Sequence, residues 1–353
     1  MDATFLHQAF ELARKWQGRC APNPSVGAVI VKEGKVIARG WHQGPGTDHA
    51  EVMALKAVSS DDLEGASIYV TLEPCSHWGR TPPCVSAISQ SALKRVVYAE
   101  KDVNPVVNGS GENELIRAGF EVRHLPTPEI HQFYEPYRYW HRTGLPWVQA
   151  KIALSLDGKI SGPQGKPTQI TGNGLKAKTH QARLESDAIL TTAQTVVLDD
   201  PQLNARLNGE SITRPVYVLD RLGKMPLTAR LWSTASRIVI FHGSHAHPDR
   251  LEALSQRGAL LVEVSEVDGQ LNLEEVIGRC GKDGVHRLWV EAGGRLFESL
   301  VSEGRVQQGW IYLGAKWIGN GVSAFGGQVN WFDGAKSVHW SGSDNDGLCE
   351  VSW

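Results

Sequence analysis

His49-Ala50-Glu51, followed by Pro74-Cys75 and then Cys84, constrain this chain more than any other feature. They supply one imidazole, two thiols and one carboxylate, and any fold that uses them must bring distant segments to a single point. Three protein ligands leave one corner of a tetrahedral zinc site open, which separates catalytic sites from closed structural ones. Water in such a corner drops from a pKa of about 15.7 to roughly 7. Glu51, two residues past the histidine, is placed to shuttle protons without binding metal, as in the H-x-E…P-C pattern of zinc nucleobase deaminases. That pattern usually continues Cys-x-x-Cys. Here the eight residues Ser76 to Pro83 separate the cysteines.

A lone His-x-Glu or an isolated cysteine pair carries little weight, so the flanks decide. Ser67 to Leu72 is β-rich and reads as a buried strand ending at Glu73-Pro74. Pro82-Pro83 opens a segment with Val85, Ile88 and Leu93 at near-helical spacing, and proline is tolerated in a first helical turn. His49 and Glu51 start a second apolar run through Val52, Met53, Leu55, Ala57 and Val58. Both cysteines are therefore expected near a helix N-terminus, where the helix dipole favours thiolate. Ligands on two facing helix starts make a catalytic zinc site.

The length of 353 residues points to two domains. A formal net charge of −2 without a Lys- or Arg-rich run argues against tRNA or DNA as the main substrate, because such binding rests on phosphate neutralisation. With two of the five cysteines assigned to metal, Cys20, Cys280 and Cys349 read as free thiols. The first residues show no basic-then-apolar secretory signal, and no stretch approaches the roughly 20 apolar residues that span a bilayer. A reducing cytoplasm is expected.

The pattern predicts an amphipathic helix over 3–16, a hairpin of 26–31 with 36–39, the His49 helix, the 67–72 strand, the Cys84 helix, a strand over 95–99, a helix over 112–118 and a last strand over 120–125. Helices alternating with strands give an α/β sandwich of about 125 residues. The aromatic stretch 133–147 reads as a packed connector. In the second half, strands are expected at 147–154, 188–191, 215–219, 237–241, 260–264 and 287–290, with helices at 174–185 and 273–280. After the 287–290 strand, Glu291-Ala292-Gly293-Gly294-Arg295 is either a phosphate cradle at a helix start or a tight β–α turn. G-x-G-x-x-G is absent, so a dinucleotide-binding Rossmann domain is not indicated. Asp199-Asp200-Pro201 serves as a helix cap, a turn acid or an active-site carboxylate.

Taken together, the chain resembles the bifunctional riboflavin-biosynthesis deaminase/reductase family over nearly its whole length. The first half does so through Pro22-Asn23-Pro24-Ser25-Val26-Gly27, His49-Ala50-Glu51-Val52, Thr71-Leu72-Glu73-Pro74-Cys75-Ser76-His77 and Gly79-Arg80-Thr81-Pro82-Pro83-Cys84. The second half does so through Lys151 to Lys159, Ile170-Thr171-Gly172, Asp187-Ala188-Ile189-Leu190, Thr195, Asp199 to Asn204 and Val290-Glu291-Ala292-Gly293. The resemblance implies an α/β chain with a cytidine-deaminase-like α/β/α sandwich at 1–145 and a dihydrofolate-reductase-like domain at 146–353. It implies zinc-dependent deamination of a diamino-hydroxy-pyrimidine carrying a phosphoribosylamino group, then reduction of the ribose to a ribityl chain with NADPH.

Carried over by position, His49, Cys75 and Cys84 bind Zn2+ and Glu51 is the general acid/base, while Asn23, His42, His77 and Arg80 contact substrate. Leu154, Gln169, Thr195, Asp199, Gly293, Gly294 and Arg295 fall at the cofactor; Pro167, Arg183, Leu203, Arg206 and Glu291 fall at the substrate. Lys151, Asp199 and Glu291 are the ionisable candidates for polarising or protonating the sugar. The implied partner is a small phosphorylated pyrimidine, with no nucleic acid and no membrane, and the expected assembly is a homo-oligomer. The chain departs from the family's usual residues at Gln169 (usually Trp), Pro167 (Ser), Gln307 (an acid), Ala315 (Pro) and Val103 (Pro). Three other readings stay open at this level. One is a deaminase whose second domain is a degenerate binding or dimerising scaffold. Another is a structural zinc module with His77 as fourth ligand, and the last is deamination of a different base.

Overall fold

The computed structural model describes residues 1–79, 81–104, 109–207, 209–291, 293–324, 326 and 330–353. The chain divides into two compact units, Met1–Gly144 and Leu145–Trp353.

Period-2 alternation along the strands decides the layering of the first unit. Its elements are α1 (Asp2–Trp16), β1 (Gly27–Lys32), β2 (Lys35–Trp41), α2 (Ala50–Lys56), α3 (Ser60–Leu63), β3 (Ser67–Leu72), α4 (Cys84–Ser89), β4 (Arg95–Glu100), α5 (Ser110–Arg117), β5 (Glu121–His124), α6 (Pro128–Phe133) and α7 (Glu135–Thr143). The sheet order is β2-β1-β3-β4-β5. β1 runs antiparallel to β2 and β3, whereas β3, β4 and β5 are parallel. Ala28, Ile30, Ile68, Val70 and Val96 face α2 and α4 through Ala50, Ala54, Val85 and Ile88. Val29, Val31, Tyr69 and Val97, one residue out of phase, face Leu6, Phe10, Ile130, Tyr134 and Tyr137. Successive strand residues point to opposite faces, so a single sheet carries two cores.

The 133–147 segment corrects the sequence expectation. Phe133 closes α6 and 135–143 form α7, so most of the segment is helix, and it packs on the sheet through Tyr134 and Tyr137. Thr127 caps α6 by accepting the Ile130 N–H, and Pro128 sits in its first turn. Gly40 fixes the approach of α2: a Cβ there would lie 2.0 Å from Ala50 O, so only glycine lets β2 run this close to the helix that carries Glu51.

In the second unit seven strands are parallel and two complete the sheet. Their spatial order is Leu260–Glu263, Arg237–His242, Pro215–Leu219, Ala188–Thr192, Arg287–Glu291, Trp147–Ser155, Gln308–Gly314, Asp346–Ser352 and Ser337–Ser343. The last two pair antiparallel, a C-terminal hairpin that the sequence pattern did not reveal. Strands buried on both faces read as near-continuous apolar runs, as Ile238 to Phe241 and Leu288 to Val290 do here. Chain order reverses around Trp147–Ser155, and ligands of open α/β sheets bind beyond the carboxyl ends of strands at such a switch point. The helices Asn173–Glu185, Ala193–Asp199 and Gly294–Ser302 begin or end at that edge.

Candidate active sites

His49 is the N-cap residue of α2 and Cys84 the first residue of α4. Cys75 lies just past β3, and its carbonyl accepts the Val85 N–H. His49 Nδ1 lies 3.2 Å from Cys84 Sγ and 3.6 Å from Cys75 Sγ. The three ligand atoms lie within 4.8 Å of one another. Zinc at about 2.3 Å from sulfur and about 2.0 Å from nitrogen requires tetrahedral edges of roughly 3.5 Å, so the donor set fits that ion. With Nδ1 aimed at the sulfurs, His49 Nε2–H is left to Thr81 Oγ1 at 3.2 Å, the outer bond that fixes a ligating imidazole's tautomer. Cys84 N–H donates to Cys75 Sγ at 3.4 Å. Hydrogen bonding from Cys84 and His49 holds the Cys75 thiol well below its usual range, while the bond to Cys75 and then burial push Cys84 up. One proton is thus shared across the sulfur pair, and a cation is what lets both ionise. His49 itself is raised, first by its bond to Cys75.

Glu51 is buried on the first turn of α2, and burial pushes its carboxyl up to about 7 against the pull of His49. It lines a cavity of about 370 Å3 together with His49, Cys75, Asn23, His42 and His77, which brings the sequence candidates of this half together. Arg80 lies outside the described residues. His42 is buried and satisfied at both nitrogens: Nδ1–H donates to Asp48 O at 3.2 Å and Nε2 accepts from Asn23 Nδ2 at 3.0 Å. Burial lowers its pKa, so it stays neutral and orients Asn23. The sequence pattern missed Asp102 and Tyr137, which also line the cavity. Tyr137 Oη donates to Asp102 Oδ1 at 3.1 Å, and burial pushes that carboxyl up to about 6. An acid just beyond the carboxyl end of a parallel strand was the available signal. Glu73 is structural: its carboxylate accepts the N–H groups of Asp102, Gly109 and Glu112, tying β3 to α5.

In the second unit Lys151 and Glu291 are cross-strand partners. Burial disfavours charge on Glu291, yet Arg183 holds its carboxyl down at about 2 through bonds of 2.5 and 2.9 Å. Trp289 Nε1–H adds a third bond at 2.7 Å. Arg183 spends its remaining reach on Asn204 O, so two residues expected at the substrate are committed to each other. Burial lowers the pKa of Lys151, whose Nζ lies 5.3 Å from the centre of the Tyr312 ring, and Glu291 and Asp199 oppose that shift. Thr192 caps the following helix through Thr195 N–H, and Asp199 is its last residue. Asp200, at the left-handed C-cap, pairs with Arg230, which makes it the turn acid.

Leu203 corrects an expectation. The residue is 2% exposed and packs in a core with Val216 and Ile240, so its side chain serves packing here. Leu154 is likewise a core residue. Arg206 is tied to Gln202 and Asn204. Pro167, Gln169 and Arg295 are exposed. Gly293 is the N-cap of Gly294–Ser302, and no side chain caps that helix, which leaves its N–H groups for an anion. Gly294 answers a different need: a Cβ there would meet Ala324 O at 2.0 Å. Ala292 lies outside the described residues. Two departures have local reasons. Gln307 Oε1 accepts Val148 N–H at 2.8 Å, and Ala315 donates an N–H to Asp346 that proline lacks.

A sulfur–imidazole donor set over a buried acid, in a sandwich of this order, defines a zinc-dependent deaminase of the cytidine-deaminase type, joined here to an α/β reductase. Residues 1–100 match the cytidine and deoxycytidylate deaminase zinc-binding region, and residues 146–339 match the RibD C-terminal domain. The chain is 36% identical over 326 residues to riboflavin biosynthesis protein RibD of Aquifex aeolicus, covering 92% of this chain and 89% of that one. Against the Escherichia coli protein it is 34% identical over 329 residues, covering 90% and 89%. The crystal structure of the Thermotoga maritima deaminase/reductase superposes with a TM-score of 0.84 at 32% identity, over 99% of this chain and 98% of that one. Acinetobacter baumannii RibD gives 0.84 at 30%, with the same coverage. The chain belongs to the RibD family. It is a bifunctional deaminase and reductase of riboflavin biosynthesis, and its cofactors are zinc and NADPH. No helix among the described residues is long and apolar enough to cross a membrane.

Proposed function

We propose that residues 1–145 deaminate a diamino-hydroxy-pyrimidine bearing a phosphoribosylamino group, and that residues 146–353 reduce the ribose of the product to a ribityl chain. The convergence of His49, Cys75 and Cys84 beside buried Glu51 carries the first assignment. The Thermotoga maritima relative, described as a diaminohydroxyphosphoribosylaminopyrimidine deaminase and 5-amino-6-(5-phosphoribosylamino)uracil reductase, supports the substrate.

His49, Cys75 and Cys84 hold zinc, which when bound supplies Lewis acidity at the open end of the cavity. Glu51 takes a proton from the attacking water and returns it to the departing amine; a carboxyl poised near neutrality serves both halves. Asn23, held by His42, presents its carbonyl oxygen to an N–H of the pyrimidine. His77, on the cavity wall, and Arg80 are assigned to the substrate, and a guanidinium suits its phosphate.

In the reductase, NADPH supplies the hydride. Gly293, Gly294 and Arg295, with Thr195, Asp199, Leu154 and Gln169, hold the cofactor, and the uncapped helix start at Gly293 suits its phosphates. Pro167, Arg183, Leu203 and Arg206 border the substrate. Of the three ionisable candidates, Glu291 is locked as a carboxylate by Arg183 and Trp289, so it orients a sugar hydroxyl. Lys151 then gives the proton to the opening ribose oxygen, with Asp199 as its electrostatic neighbour. We place the enzyme in a reducing cytoplasm, with Cys20, Cys280 and Cys349 as free thiols, and as a homo-oligomer.

Zinc-loaded protein given the pyrimidine should replace one N–H by oxygen in the product, read by mass. Adding NADPH should then add two hydrogens. No first change with zinc present overturns the deaminase assignment; a first change without the second overturns the reductase one.

A further inference from the structure

The loop after the strand Gln308–Gly314 carries an exposed indole on a fixed backbone. Trp317 is 78% exposed, more than any other aromatic residue described in the second unit. Its chain neighbours are pinned on both sides. Leu156 N–H donates to Lys316 O at 2.9 Å. The Asp157 carboxylate accepts the Ile318 N–H at 3.1 Å and the Gly319 N–H at 2.7 Å, and Ser155 Oγ–H holds it at 2.6 Å. Isolated apolar residues on a surface are ordinary. Here Leu156, 58% exposed, follows the adjoining strand, so two large uncovered apolar residues sit at neighbouring strand ends.

Those strand ends lie at the edge where the reductase works. Trp147–Ser155 and Gln308–Gly314 run parallel to each other and to the strands that end at Thr192 and Glu291. Leu156 and Trp317 therefore lie past the carboxyl ends, where open α/β sheets take their ligands. The segment 169–172 is fastened against the same loop. A Cβ on Gly314 would lie 2.2 Å from Ile170 O, so that backbone rests on the strand end. Lys316 Nζ donates to Gln169 O. The Asp346 carboxylate accepts the Gly172 N–H at 2.5 Å and the Ala315 N–H at 3.2 Å, bracing the two segments together. Gln169 and Trp317 thus share one wall.

We propose that the Trp317 indole, flanked by Leu156, is the surface on which the dihydronicotinamide ring of NADPH stacks. The inference rests on the cofactor placement proposed above and adds what that placement lacks, since none of the residues assigned there has an aromatic ring. Three features select this occupant. Leu154 and Gln169, both assigned to the cofactor, belong to the two segments fastened to the Trp317 loop. Lys151 lies on the strand that ends at Ser155, so the ring that delivers hydride to the same sugar must come to this strand. The helix start at Gly293, which suits the phosphates, follows the strand on the other side of Trp147–Ser155. Two strand spacings, about 10 Å, then separate phosphate from indole, a span that one ribose and its ring can bridge. A ring surface held rigid in advance adds affinity by cutting the ordering entropy lost on binding.

Calorimetric titration of the full chain tests the surface, with NADPH, phospho-ADP-ribose (NADPH without its nicotinamide) and the deaminated pyrimidine as probes. Trp317→Ala should weaken NADPH binding by about 5- to 150-fold, the range set by loss of one ring stack, and leave the other two probes at parent affinity. Trp317→Phe, which keeps a ring, should recover most of that loss. Unchanged NADPH affinity in Trp317→Ala overturns the inference. An equal loss for phospho-ADP-ribose overturns it too, because adenine would then be the ring on the indole, and a loss for the pyrimidine alone would put the substrate there instead. Gln169→Ala separates the stack from the placement beneath it. If that variant weakens NADPH while Trp317→Ala does not, the placement stands without the stack; if neither weakens it, both fall.

Discussion

Trp289→Phe tests one hydrogen bond in the reductase. The indole is buried, packs edge-on against Trp310 with ring centres 5.3 Å apart, and donates Nε1–H to Glu291 Oε1 at 2.7 Å. Phenylalanine keeps an aromatic ring in the slot but removes that donor together with one of the two fused rings. A hydrogen bond to a charged group contributes about 1.5–3 kcal/mol, and Arg183 continues to hold the other face of the carboxylate. If Glu291 must be held still for the sugar to align, reduction slows by roughly 10- to 150-fold, since about 1.4 kcal/mol is a factor of ten. NADPH consumption measured with the deaminated pyrimidine as substrate reads this directly. Deamination by the same preparation is the internal control, because its residues lie in the other unit. Unchanged reduction would refute a positioning role for Trp289. A parallel fall in both activities would refute it equally, because the loss would then be one of folding.

Other expectations follow from the same geometry. Glu51→Gln should cut deamination by about 10²–10⁴-fold while zinc content, measured by elemental analysis, stays at the parent value. Gly40→Ala places a Cβ 2.0 Å from Ala50 O and should cost about 1–3 kcal/mol in denaturant unfolding of the first unit, with deamination falling and reduction spared. Burial favours the neutral amine of Lys151, so its proton leaves below the ordinary lysine range as pH rises. The reduction rate should therefore fall on the alkaline side, and Lys151→Arg should remove that limb from the kcat profile. Arg183→Gln leaves Glu291 buried without its cation and should destabilise the second unit by about 3–5 kcal/mol in chemical denaturation at neutral pH. Glu291 is depressed to about 2 in the fold, so the stability it confers is present above its ordinary value near 4.5 and fades as pH falls toward 2; the variant's deficit should shrink over that range.

The zinc site was legible because each ligand sits at a junction the chain announces locally. Pro74 ends a strand, Pro82-Pro83 opens a helix, and His49 precedes a periodic run. Thr81 as the outer partner of His49 needed the tertiary structure, since an unremarkable threonine becomes informative only when Nδ1 is known to face sulfur. Helix α6 was missed and α7 was read as a connector because Pro128, Pro136 and the dense aromatics obscure helical periodicity. The structure shows the prolines in first turns, where the missing N–H costs nothing. The C-terminal hairpin was missed for the opposite reason: Ser, Gly and Asp dominate 341–347, and such residues read as loop until a neighbouring strand pairs with them.

The reductase half shows what position alone leaves open. Arg183 and Glu291 were both carried over as substrate contacts, yet 108 residues apart in sequence they close on each other. A carboxylate held by a fork and an indole is kept ionised, which favours orientation over proton donation as its proposed role. Lys151, opposite it on the next strand and partly stripped of water, has the reverse bias: it gives up a proton readily and regains it beside a fixed negative charge. The proposed division of labour, the carboxylate for orientation and the amine for proton transfer, thus rests on the Arg183–Glu291 pair, where the sequence alone ranked Lys151, Asp199 and Glu291 as equals.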